Sequence, residues 1–181
     1  MINLTRKLAV ATLLAGAMVM TEADAAGYLK IGDIKGESTD RGHEDEIDIL
    51  DISWSVSSPN RGATGASRRR GGAIVSDIQV TKAMDAASPK LFEACATGQV
   101  MREVVLTMAK DSGDRPLDYL VITLTNVRVT DVSTSVSETG ESSETISLNY
   151  AEIKVSYAEQ ARDGSKKGNV EVTWQVEKGQ R

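Results

Sequence analysis

Val170-Glu171-Val172-Thr173-Trp174-Gln175-Val176-Glu177 alternates apolar and polar side chains without a break. Successive residues of an extended strand point to opposite faces, so the octet makes one apolar and one polar ribbon face. A helix would scatter the same four apolar residues around its circumference. Val, Thr and Trp also suit a pleated, half-buried surface. The same period recurs upstream. Ile146, Leu148 and Tyr150 alternate, then give way to Ile153, Val155 and Tyr157 on the opposite parity, a change of phase. Leu117 to Val129 is apolar on both faces, with Leu120, Ile122 and Leu124 against Tyr119 and Val121, which is the pattern of a central strand covered on both sides. Val104, Leu106 and Met108 mark a further strand, and Ile74, Ile78, Val80 and Met84 share a face of another. Glu46 to Ser57 switches phase midway. Ile47 and Ile49 lie on one face, Leu50, Ile52, Trp54 and Val56 on the other, so a bulge or sharp bend is expected near Ile49-Leu50. Tyr28 to Ile34 is a short first strand.

One helix interrupts the series. Ser88 reads as its N-cap, Pro89 as its first helical residue and Gly98 as a left-handed terminator. Leu91 and Cys95 share a face, with Phe92 beside it. Barely over two turns long, such a helix needs packing on a sheet to persist. The expected fold class is mainly β: a β-barrel-like pair of antiparallel sheets with one short flanking α-helix at about 88–98. Three polar stretches, 58–72, 131–144 and 160–169, read as loops. The first is long and rich in Gly, Ser and Arg, and loops of that length tend to be functional or disordered.

The N-terminus reads differently from the body. Arg6 and Lys7 precede an uncharged apolar run from Leu8 to Met20, and Ala23-Asp24-Ala25 offers small residues before a cleavage point at Ala26. Residues 1–25 therefore read as a secretory signal peptide, too short in its apolar part to span a bilayer. The other reading is a misassigned start, with translation from Met18 or Met20. The expected domain is 26–181. Loss of the leader removes Arg6 and Lys7 together with Glu22 and Asp24, so the formal charge of -5 is unchanged.

Several function classes are closed off. A single cysteine cannot form an internal disulfide, and one Cys with one His cannot make the common zinc sites. A serine-histidine-acid triad would have to run through His43 alone. Negative charge argues against a general nucleic-acid binder. His43 reads as an exposed loop residue or a turn cap, and Glu44, Asp45, Glu46, Asp48 and Asp51 as a solvated acidic face. Cys95, late in the helix among Leu91, Phe92 and Ala94, reads as a small hydrophobe. Arg68-Arg69-Arg70 is the one concentrated positive cluster, and no aromatic platform accompanies it. It reads as solvated or as a contact for an acidic surface of another copy, such as the run from Glu44 to Asp51. No catalytic constellation, cofactor motif or metal motif is present in the sequence.

The stretches YLKIGDIKGES (28–38), HEDEIDILDISWSV (43–56), IQVTKAMDAASPKLFEACATG (78–98), LDYLVITLTNVRVTDVSTS (117–135), ISLNYAEIKVSY (146–157) and VTWQV (172–176) resemble the haemolysin-coregulated protein (Hcp) family, the tube subunits of the type VI secretion system. The segments TK-x-x-D-x-x-S-P and E-I-D-[IV]-L carry the resemblance most strongly. The resemblance implies a ring-forming structural protein rather than an enzyme, with no cofactor. It implies homohexameric rings stacked into a hollow tube, expelled from a contractile sheath beneath a spike protein and able to carry effector cargo. The net negative charge and the lack of another apolar stretch long enough to span a bilayer lead to the expectation of no nucleic-acid partner and no stable membrane insertion. The resemblance makes Arg68, Arg69 and Arg70 candidates for ring stacking. It makes Asp51, Ser53 and Ser55 candidates for the lumen wall, with Ile52 where the family often has an aromatic. It also implies secretion. A working signal peptide would add periplasmic transit and favour an exported ring or binding module acting apart from the contractile machine, whereas a start at Met18 or Met20 would give cytoplasmic assembly. Relatives with a toxic enzyme domain carry it beyond the last strand, where this chain has only a few residues.

Overall fold

The computed structural model describes residues 25–58, 60–61, 69–70, 73–110, 117–138, 140, 142–160 and 166–176. In chain order the strands are β1 (Ala25–Ile31), β2 (Ile47–Ser53), β3 (Val56–Ser57), β4 (Asn60–Arg61), β5 (Arg69–Arg70), β6 (Ile74–Val75) and β7 (Ile78–Ala83). Helix α1 (Ser88–Thr97) follows, then β8 (Val100–Lys110), β9 (Leu117–Val136), β10 (Ser142–Asn149), β11 (Glu152–Gln160) and β12 (Lys166–Gln175).

β9 organises the molecule. One of its edges pairs antiparallel with β8, from Arg128↔Val100 to Leu117↔Lys110. Its other edge takes β10 and then β11 in series, Val136↔Ser142 down to Arg128↔Asn149, then Thr125↔Glu152 to Leu120↔Tyr157. At Tyr150-Ala151 these two partners part company. β10 turns its free edge to β7 and closes a six-stranded barrel in the order β9-β8-β1-β2-β7-β10, whereas β11 pairs with β12 and leaves the barrel as a two-stranded extension. The joint is pinned by Ala151 N–H donating to the Thr125 carbonyl at 3.0 Å and Val176 N–H donating to the Ala151 carbonyl at 2.8 Å. The change of phase between Tyr150 and Ile153 is this parting.

Three cross-strand rows run across the inward face. Ile31, Val104, Leu124, Ile153 and Trp174 form one, and Ile47, Leu29, Leu106, Ile122, Val155 and Val172 the next. Ile49, Gly27, Met108, Leu120, Tyr157 and Val170 form the third. Within the barrel these residues are buried or nearly so, joined by Ile78, Val80, Ile146 and Leu148 from β7 and β10. Burying each such side chain contributes roughly 1.5–3 kcal/mol. Gly27 lets β1 approach closely, since a Cβ there would meet Ile49 Cγ1 at 2.6 Å.

The phase switch in β2 is a bulge. Ile49 pairs with Lys82 and Asp51 with Thr81, so Leu50 is the extra residue and lies exposed. Two other expectations change. β9 and β10 extend through most of 131–144, because Val132, Ser133, Thr134 and Ser135 find ladder partners in β10 that their polarity concealed. Met84 falls beyond β7 and is exposed, and Lys82 takes the inward position after Val80. Helix α1 packs on β9 through buried Leu91 and Ala94, and Phe92 points outward. Gly98 ends the helix at φ +64°, as its position predicts. Ser88 is the first helical residue rather than the cap, because its hydroxyl already serves the preceding turn.

Candidate assembly surfaces

Asp51 and Ser53 lie on β2 past the bulge, and Ser55 follows two residues on; all three are exposed, as alternation requires. Ser55 N–H donates to Ser76 Oγ at 2.8 Å, which ties this stretch to the chain leading into β7. Arg69 and Arg70 form β5, paired with Arg61 and Asn60 of β4 in a small ladder inside the long 58–72 stretch. Arg68 lies outside the described residues.

Two polar clusters hold the framework, and sequence reading placed neither. The Lys82 side chain is fully buried, its Nζ 2.8 Å from Asp85 Oδ1 and 3.1 Å from Glu144 Oε2. It also donates to the Ala83 carbonyl at 2.6 Å and to Ser88 Oγ at 3.1 Å. Glu144 takes a further hydrogen bond from Thr134 Oγ1 at 3.3 Å, and the Asp85 carboxylate accepts from Ala87 N–H at 2.9 Å. One ammonium therefore fastens β7, the entry to α1, β10 and β9 together. Removing one partner of such a buried set leaves an uncompensated charge, which costs about 3–5 kcal/mol. The spacing Lys82, Asp85, Ser88 was visible in the sequence. The burial was not, since β10 reads there as loop.

His43 is buried, contrary to the exposed loop residue expected. Its ring stacks on Tyr28 with centroids 3.9 Å apart and planes 4° from parallel. Its Nδ1 lies 2.8 Å from Glu46 Oε2 and its Nε2 3.3 Å from Asp118 Oδ1. The imidazole thus clips the β1–β2 loop to the base of β9. Beside it Tyr28 OH donates to Asp40. Burial, then the Asp40 carboxylate, push the Tyr28 phenol well above its ordinary range. Gly36 permits the loop to lie flat, because a Cβ there would meet the Glu46 carbonyl oxygen at 2.3 Å. Glu46 and Asp45, the latter paired with Lys35 at 2.6 Å, belong to this loop rather than to a free acidic face.

The extension presents the third feature. Its outward face carries its own polar pairs, Lys154–Glu171 at 3.1 Å, Ser156 with Asn169, and Gln175 with Glu152 at 3.2 Å. Lys154 draws the Glu171 carboxyl below its usual range. The other face continues the core rows, yet Tyr157, Val172 and Val170 are 46%, 43% and 71% exposed. An open groove of about 890 Å³ lies elsewhere, between α1, β8 and the turn after β1, lined by charges of both signs such as Lys30, Asp33, Lys90 and Glu103. Among the described residues no group of three His, Cys, Asp or Glu side chains is placed to hold a metal, and no helix is long and apolar enough to cross a membrane.

A family profile described as "Type VI secretion system effector, Hcp" matches residues 28–157. The chain belongs to the Hcp family. It is 38% identical over 152 residues to protein hcp1 of Pseudomonas aeruginosa, covering 82% of this chain and 93% of that protein. Among solved structures, a type six secretion system protein superposes with TM-score 0.81 at 28% identity, over 87% of this chain and 99% of that one. Hcp1 from Salmonella typhimurium superposes with TM-score 0.73 at 30% identity, over 88% and 99%. Hcp is a family of secreted tube proteins rather than of enzymes, and membership places this chain in type VI secretion through self-association. The two segments that carry the resemblance in sequence are the two clusters in space. Lys82, Asp85 and Ser88 belong to the first. Glu46, which holds His43, and the Leu50 bulge belong to the second.

Proposed function

We propose that six copies of this chain close into a ring, and that rings stack into the hollow tube expelled by a contractile sheath beneath a spike protein, with effectors carried in the lumen. The observation that carries this reading is the closed barrel with its extension of unsatisfied apolar surface, in a chain of the Hcp family. A closed barrel hides its strand edges, and a cyclic assembly covers the remaining surface without running on into aggregates. Arg68, Arg69 and Arg70, on the long stretch between β3 and β6, are assigned to contacts between stacked rings. Asp51 and Ser53 on β2 and Ser55 just after it, all exposed, are assigned to the lumen wall. Electron microscopy of the purified protein tests the reading. Rings with a central hole are expected, and particles that stay monomeric at all concentrations contradict it.

A second reading follows from residues 1–25. With the leader working as a signal peptide, the chain is exported as an Hcp-like ring or binding module that acts independently of the contractile machine. It requires a mature N-terminus at Ala26 and secretion that continues when the contractile apparatus is deleted. An intact leader or an internal start at Met18 or Met20, with secretion lost on that deletion, selects the tube subunit instead.

A further inference from the structure

We infer that the bond between Ala25 and Ala26 is a processing site only while the chain is unfolded, and that closure of the barrel seals it. The inference rests on the reading of residues 1–25 as a signal peptide, and it adds the stage at which that leader can be removed. Small residues at Ala23 and Ala25 place the scissile bond before Ala26. The structure puts that same bond inside β1, which begins at Ala25, so no spacer separates it from the barrel.

Three observations close the bond to an enzyme once the barrel has formed. First, the backbone on both sides of it is already in a ladder. Ala25 stands opposite Lys110 and Ala26 opposite Ala109 on β8. A peptidase that takes its substrate as an added strand competes for those backbone groups. Second, fraying of the strand end does not free enough chain. Gly27, the second residue after the bond, is laddered on both edges, to Ile49 of β2 and to Met108 of β8. It is wedged between their side chains, since a Cβ there would meet Ile49 Cγ1 at 2.6 Å and Met108 Sδ at 3.4 Å. Tyr28 and Leu29 follow, 2% and 0% exposed. Third, β1 is an interior member of the closed barrel, between β2 and β8. Lifting it far enough to seat the bond in an enzyme opens the barrel and uncovers its core.

Chain order supplies the interval in which cleavage is possible. β8 is made after β2, β7 and α1, so Ala25 and Ala26 have no ladder partner until Ala109 and Lys110 exist. A contact between residues so remote in sequence also forms slowly. The leader is therefore cleavable early and locked late. A chain that meets the peptidase before β8 docks loses residues 1–25 and folds from Ala26. A chain that folds first keeps its leader. The exported module and the tube subunit are then alternative fates of one polypeptide, selected by which event comes first.

Cleavage of the full chain by purified signal peptidase in detergent micelles tests this, with the product read by intact mass. One portion is folded beforehand, and the other is diluted from urea directly into the assay. The expected product begins at Ala26 and forms at least about a hundredfold more slowly from the folded portion, where only the opened population reacts. Ile122→Ala, which loosens the barrel core, should speed cleavage of the folded portion at least about tenfold. Lys154→Ala, on the polar face of the extension, should leave it unchanged. Equal rates from the two wild-type portions overturn the inference and leave the signal reading intact. A folded Ile122→Ala chain as resistant as the wild type does the same, because the seal is then not the barrel. A product that begins elsewhere than Ala26 overturns the inference too. A chain cut in neither portion overturns the signal reading and this inference with it. If Ile122→Ala does not fold, Ile122→Val gives the same comparison.

Discussion

Leu106 on β8 and Val172 on β12 stand in the same cross-strand row, joined through Ile122 and Val155, and they meet opposite fates. Leu106 is enclosed by the barrel, whereas Val172 lies on an extension that no other part of the described chain covers. Local sequence does not distinguish them, for both sit in strands with an apolar residue at every second position. What separates them is the closure at β10 and β7, a long-range event that takes one half of the β9 partner into the barrel and leaves the other half outside. The lesson is that alternation reports which face seeks burial, and topology decides whether the chain itself provides it.

Breaking the barrel side should have the largest effects. Lys82→Met leaves Glu144 and Asp85 without their ammonium, and a loss of about 3–5 kcal/mol is expected in urea unfolding. Lys82→Met combined with Glu144→Gln should recover part of it, because the charge most deeply buried with Lys82 is then gone as well. Ile122→Ala, in the middle of the covered row, should cost about 2–5 kcal/mol through lost burial and a residual cavity. Smaller losses for these variants than for exposed-strand variants would refute the division between barrel and extension.

Alkali sharpens the same contrast. Tyr28 and Tyr150 both belong to the barrel side, and both phenols are raised; burial and the charge of Asp77 push Tyr150 up to about 12. An acid whose pKa is higher folded than unfolded keeps its proton in the native state after the unfolded chain has lost it. Stability from these two groups is therefore complete below about pH 10, the ordinary tyrosine range, and declines as pH rises through the folded values. Urea midpoints measured from pH 9 to pH 12 should fall, and Tyr28→Phe should flatten the decline. A midpoint that holds level across that window would remove the phenols from the account.

Reading from the sequence succeeded where a pattern is local. The bulge at Leu50, the change of phase after Tyr150, the glycine that ends α1 and the mainly β class all follow from neighbours a few residues apart. It failed where partners are remote in sequence. Lys82 looks like a surface lysine until Glu144, sixty-two positions away, is brought to it. His43 looks like a loop residue until Asp118 and Tyr28 enclose it. The assembly surface was half legible. The octet from Val170 to Glu177 declares an apolar face, and only the barrel's closure leaves that face uncovered.

The smallest expected effects on stability fall at the assembly contacts. Changing Arg68, Arg69 and Arg70 together to Glu should shift folding by no more than about 0.5 kcal/mol, as for most surface changes. The same change should weaken ring stacking, and more strongly at low salt, where charges are less screened. Stacking that survives unaltered would return these arginines to the solvent. Val170→Asp and Val172→Asp bear on the extension itself, where stability and assembly are expected to separate. The decisive measurement is sedimentation velocity on the wild type and on the Val170→Asp/Val172→Asp double variant, run beside thermal unfolding of each. The account predicts a ring-sized wild type and a monomeric variant with a nearly unchanged unfolding midpoint. A variant that still sediments as a ring, or one destabilised as much as is expected of Ile122→Ala, would contradict it.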